Sequence, residues 1–86
     1  MEKKVTKQDI AELTSKYIEV VERYYGESNH QETTPYVCIA DCDFDDIKGE
    51  YCHLFNEIIV YWENICSLEE LIRVIVHEYQ HYLQSP

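Results

Sequence analysis

The chain has 86 residues, 45% of them hydrophobic and 28% charged, with 17 acidic against 7 basic side chains and a formal net charge of −10. That length makes one small domain with a modest core, and the composition is that of a folded chain rather than a disordered one. The acidic surface repels phosphate backbones and argues against nucleic acid as a partner. No apolar run approaches the roughly 20 residues that span a bilayer, so the reading places the chain off the membrane.

"MEKKVTKQDIAEL" turns polar and acidic too early for a signal peptide. The expected compartment is therefore the cytosol or the interior of a viral assembly. Without a secretory signal, the four cysteines, Cys38, Cys42, Cys52 and Cys66, read as reduced, mostly buried thiols. Their spacing lacks the paired C-x2-C units of a zinc ribbon.

The first element runs from Thr6 to Gly26. Thr6 with Asp9 three residues on makes a capping box for a helix start. Ile10, Leu13, Tyr17, Val20, Val21 and Tyr24 then keep the 3.6-residue rhythm of an amphipathic helix, and Gly26 stands where such a helix ends. The polar stretch 27–35 is a loop closed by Pro35. "YVCIA" (36–40) is short, apolar and β-branched, which predicts a strand.

"DCDFDDIKG" (41–49) reads as an acidic turn. Asp41, Asp43 and Asp45 match the first ligand positions of a calcium-binding loop, but Asp46 stands where the glycine belongs and Cys52 where the glutamate belongs. A solvated turn is the better reading. "EYCHLFNEIIVYW" (50–62) predicts two strands of an antiparallel hairpin turning near Asn56. Ser67 with Glu70 is a second capping box, and "LEELIRVIVHEYQHYLQ" (68–84) follows as a helix apolar on most sides. Helix, strand, hairpin and helix in that order give an α+β domain with a small sheet packed on helices.

The chemistry lies in "HEYQH". His77 and His81 are four residues apart, on one helix face and about 6 Å apart along the axis, so both imidazoles can reach one metal ion. Glu78 flanks that position, where it can take a proton from water as a general base. Two ligands and a base in five positions is the pattern of a zinc hydrolase.

"VIVHEYQHYLQ" resembles the active-site helix of the zincin metallopeptidases, above all the small peptidases carrying this motif in bacterial and phage genomes. The resemblance covers most of the chain in the order of its elements, but only His-Glu-x-x-His is a specific motif. It implies a zincin-like core in residues 1–86, with an N-terminal helix, a small mixed sheet with a hairpin, and the C-terminal motif helix. It also implies one Zn2+ ion held by His77 and His81, Glu78 as catalytic base, and hydrolysis of a peptide or protein substrate. In such families an edge strand binds the substrate in extended form, and Glu57, Ile58, Ile59, Val60 and Tyr61 occupy the corresponding place.

Zinc hydrolases use three protein ligands, and only five residues follow His81. The sequence leaves three routes open. The chain is the N-terminal part of a longer protein; or an upstream ligand completes the site, His53 first, then Asp41 and Asp43; or a neighbouring chain of an oligomer, or water, fills the place. Glu70 shares the histidine face but lies about 10.5 Å from His77 along the axis, too far to join both. The competing class is a non-catalytic structural or assembly protein, of viral kind, that keeps the zincin scaffold. A third reading makes zinc a staple that holds the domain folded.

Overall fold

In the computed structural model, residues 5–27, 33–41 and 46–84 are described. Two helices, α1 (Lys7–Tyr25) and α2 (Leu68–Gln84), pack with a three-stranded mixed sheet of β1 (Tyr36–Ala40), β2 (Gly49–Cys52) and β3 (Glu57–Tyr61). A short 3-10 turn, Trp62–Asn64, joins β3 to the approach of α2. None of the described helices is long and apolar enough to cross a membrane.

The first helix starts as its sequence predicts. The Asp9 amide donates to Thr6 Oγ1 and the Thr6 amide donates to the Asp9 carboxylate, so the capping box is complete. At the other end Gly26 takes a φ of +80°, a region that side chains disfavour, and its amide bonds back to the Glu22 carbonyl. The second cap differs from the expected box. The Glu70 amide does donate to Ser67 Oγ, but the Glu70 carboxylate accepts from the Cys66 amide rather than from Ser67. Its other oxygen takes an ion pair with Lys48, which pulls the side chain away from a reciprocal cap.

The strand order is β1-β3-β2, with β3 parallel to β1 and antiparallel to β2. Gly49, the expected end of the acidic turn, opens β2 instead. The register places Val37, Ile39, Ile58, Val60, Gly49 and Tyr51 on one face. That face meets the helices, where Ile10, Leu71, Ile75, Tyr79 and Tyr82 are fully buried with Ile58 and Val60. Burying each of these aliphatic side chains stabilises the fold by about 1.5–3 kcal/mol. The opposite face carries Tyr36, Cys38, Glu50, Ile59 and Tyr61.

Three expectations need correction. The β3 run Glu57–Tyr61 is not an edge strand: it is central, paired to β1 on one side and β2 on the other. The second helix is not apolar-buried on most sides, since Leu68 and Ile72 are exposed. The cysteines are free but not mostly buried, for Cys38 and Cys66 are exposed and Cys52 is half-buried. Cys42, like Asp43 and Asp45 of the acidic turn, lies outside the described residues.

The hairpin turn depends on Asn56, which is buried at φ +49°, a conformation asparagine tolerates better than most residues. Its amide donates to the Thr33 carbonyl at 2.9 Å, its Oδ1 accepts from the Tyr51 hydroxyl at 2.8 Å, and its carbonyl accepts from the Tyr36 amide at 2.9 Å. One side chain therefore ties β2, the turn and the segment before β1. Asn56→Ala removes the acceptor of the Tyr51 hydroxyl, one donor to the Thr33 carbonyl and the residue suited to the positive φ, and is expected to cost about 1–3 kcal/mol. A urea titration checks this: the midpoint falls while the slope stays constant.

Candidate metal centre

Core packing sets the orientation of α2. Leu71, Ile75, Tyr79 and Tyr82 face inward, so His77 and His81 fall on the flank of the helix and are exposed, while Glu78 is only 7% exposed. The Tyr79 hydroxyl donates to the Gly26 carbonyl at 2.5 Å and that of Tyr82 to the Thr33 carbonyl at 3.2 Å. These two bonds fix the rotation of the helix about its axis. Burial pushes the Tyr79 hydroxyl well above the ordinary tyrosine pKa, so it stays a donor.

The Nε2 atoms of His77 and His81 lie 3.2 Å apart, with the rings edge to face at a centroid separation of 4.7 Å. Two imidazole nitrogens about 2.05 Å from one tetrahedral ion stand about 3.3 Å apart, so the spacing fits a shared ion without rearrangement. The donor atoms of His77, Glu78 and His81 all fall within 4.8 Å of one another. Imidazole and carboxylate donors of this kind suit zinc and other first-row divalent ions.

These residues open onto a cleft of about 590 Å³ that Gly49, Glu50, Tyr51, His53 and Gln84 also line. β2, the outer strand of the described sheet on this side, forms its wall. Glycine is needed at position 49 because the strand there lies directly against α2. A Cβ on Gly49 would meet Val74 Cγ1 at 2.5 Å and the Ile59 carbonyl oxygen at 3.1 Å, with Glu78 Cγ at 3.6 Å. The missing side chain is what lets the strand edge reach the histidine pair.

The structure brings His53 to this cleft, in the turn after β2, but not into the group within 4.8 Å. Asp41 is placed elsewhere. It accepts from the Trp62 indole at 3.0 Å and from Lys7 at 3.4 Å, contacts that hold its carboxyl below the usual range. Glu70 is occupied by Lys48 and the Cys66 amide, as its axial distance from His77 implies. Asp43 lies outside the described residues. Glu57, Ile58, Ile59, Val60 and Tyr61 do not line the cleft, and both backbone edges of β3 are taken within the sheet. No further extended peptide can pair there.

The strand that does line the cleft is β2, which the sequence reading passed over; among the described strands it pairs with β3 alone. Tyr61 donates its amide to the Lys48 carbonyl at 3.0 Å. Antiparallel ladders alternate, so Glu50 and Cys52 bond to β3, whereas the N–H and C=O groups of Gly49 and Tyr51 point away from it. Comparison of the chain with protein-family models, with curated proteins and with solved structures gives no match.

Two expectations follow. Gly49→Ala should cost about 1–3 kcal/mol through overpacking, and Val74→Ala in the same chain should recover part of it. Strictly additive losses in a double-mutant cycle would show that the Val74 contact is not the cause. The second concerns Glu78, whose pKa is raised chiefly by burial, against the pull of His77 and His81 and with a small push from the Glu50 charge. The folded state therefore holds the proton to higher pH than the unfolded chain. Between the ordinary glutamate pKa and the raised one, stability of the metal-free protein falls as pH rises. Glu78→Gln should abolish that slope and be more stable than the parent above the window. Coincident stability–pH curves for the two proteins would count against a buried, perturbed Glu78.

Proposed function

We propose that the protein is a zinc-dependent peptide hydrolase of zincin-like type, in which His77 and His81 hold the ion and Glu78 is the general base. The observation that carries the reading is the 3.2 Å separation of the two Nε2 atoms beside the buried Glu78 carboxylate. When bound, zinc supplies Lewis acidity that polarises a carbonyl and brings the pKa of a water down to about 7.

The chain's own residues supply the rest. The outer edge of β2 at Gly49, which lines the cleft, guides an extended peptide past the histidine pair. Glu78 accepts the proton of the attacking water and returns it to the leaving amine. Its raised pKa suits both halves of that exchange, because a base works best with a pKa near the operating pH. Among the described residues, His53 is the further histidine that lines the cleft and so is the candidate third ligand.

A second reading is a non-catalytic structural or assembly protein that retains the scaffold. It is favoured by one observation: among the described residues, only His77, Glu78 and His81 bring donor atoms together within 4.8 Å.

Zinc titration and turnover of a quenched casein substrate separate the two. On the hydrolase reading, zinc binds one to one, His77→Ala loses both binding and turnover, and His53→Ala weakens binding. Glu78→Gln keeps the ion but lowers the rate by roughly 10²- to 10⁴-fold. Turnover indifferent to chelation or to Glu78→Gln overturns the reading, and tight zinc binding without turnover favours the scaffold.

A further inference from the structure

Away from the cleft, the two helices border an apolar groove of about 370 Å³, with Tyr17, Val20 and Tyr24 of α1 on one side and Ile72 and Val76 of α2 on the other. Val20 is 62% exposed and Tyr24 80%. Single exposed apolar residues are ordinary, but a contiguous group of them marks an interaction surface.

The sequence of α1 says what fits there. Leu13, Tyr17, Val20 and Tyr24 make one stripe along the helix, at spacings of four, three and four residues. Glu12, Lys16, Glu19 and Arg23 make a second stripe beside it at the same spacings, and all four are exposed. Glu12 accepts from the Gln8 side-chain amide at 3.3 Å, while Lys16, Glu19 and Arg23 take no ion pair among the described residues. The spacing reads the same in both directions, whereas the order of charges, negative, positive, negative, positive, inverts on reversal. A second α1 set antiparallel therefore brings apolar against apolar and each charge against its opposite, Glu12 with Arg23 and Lys16 with Glu19. The centres of the two stripes differ by one residue, about 1.5 Å along the axis, which long side chains span.

We infer that this face joins two copies of the chain in a two-fold dimer, their α1 helices antiparallel across it. Val20 of one copy lies beside Tyr17 of the other, and Leu13 beside Tyr24, over the mouth of the groove. Two-fold symmetry makes each contact occur twice, and charges flanking an apolar helix seam set partner and orientation. The net charge of −10 repels a second copy at a distance. A face of this size, working against that repulsion, suits a weak and reversible association rather than a permanent one.

Sedimentation velocity from micromolar to millimolar concentration tests this, with EDTA present so that no metal bridges the exposed histidines. The parent should pass from monomer toward dimer, and Val20→Gln/Tyr24→Gln should stay monomeric with an unchanged circular dichroism spectrum. Lys16→Glu and Glu19→Lys should each weaken dimerisation roughly three- to thirtyfold, since each sets like charges together at two symmetric places. Mixing those two variants in equal amounts, or combining both changes in one chain, should restore it. The overall field predicts otherwise. One change makes the chain more acidic and the other less, so the field alone would move association in opposite directions.

A parent that is monomeric throughout overturns the inference and leaves the groove to a different protein. Dimerisation that survives Val20→Gln/Tyr24→Gln overturns it too, by placing the contact on another face. So does a Glu19→Lys chain that dimerises more tightly than the parent, or a double charge reversal that fails to recover. None of these outcomes depends on zinc binding or turnover.

Discussion

The close approach of β2 to α2 is the constraint on which the rest of the structure depends. A strand and a helix normally keep their distance because side chains stand between them. At Gly49 nothing stands between, and the strand backbone comes down onto Val74 and Glu78. This single contact brings β2 close enough to α2 to form one wall of the cleft. It also shelters Glu78 from water, which raises the carboxyl pKa. Geometry and electrostatics at the candidate centre therefore share one cause.

The same helix must both complete the core and present the histidines, and its sequence divides those tasks by face. Leu71, Ile75, Tyr79 and Tyr82 form the inward stripe, while His77 and His81 lie on the flank toward β2. The other flank, with Ile72 and Val76, lines an apolar groove together with Tyr17, Val20 and Tyr24 of α1. The two tyrosines at the inward stripe do more than fill volume. Their hydroxyls bond to Gly26 and Thr33, so the rotation of α2 is tied to the segment between α1 and β1. A slip of the helix by one residue would turn Glu78 away from the cleft and break both bonds at once.

Much of this was legible in the sequence, because the signals were local. The Thr6–Asp9 box, the 3.6-residue rhythm of α1, the hairpin about Asn56 and the His-Glu-x-x-His spacing each depend on residues a few positions apart. What the sequence reading missed depends on pairing at a distance. It placed the substrate along Glu57–Tyr61, yet "EIIVY" is a nearly continuous apolar run without the charges or proline that blunt an edge strand. "GEYC", short and more polar, carries the features of an edge. Gly49 read as turn punctuation because a close approach to a helix nineteen or more residues later leaves no local trace. The half-formed cap at Ser67 has the same origin, since the competing partner of Glu70 is Lys48, far away in the chain.

Glu78 links these observations to metal affinity. In the metal-free protein, burial opposes its charge and the two imidazoles oppose that burial only in part. On the proposed reading, a divalent cation between His77 and His81 supplies the missing positive charge and reverses the shift. The ionised carboxylate is then no longer a cost of folding but a contribution to holding the ion. Binding and folding become coupled through this one side chain, as expected where a site has no counterpart in the unfolded chain. The cost of burying Glu78 follows from Gly49, because only a strand without a side chain comes near enough to exclude water there. A bulkier residue at position 49 would therefore widen the cleft, rehydrate the carboxylate and weaken the coupling, even with both histidines unchanged.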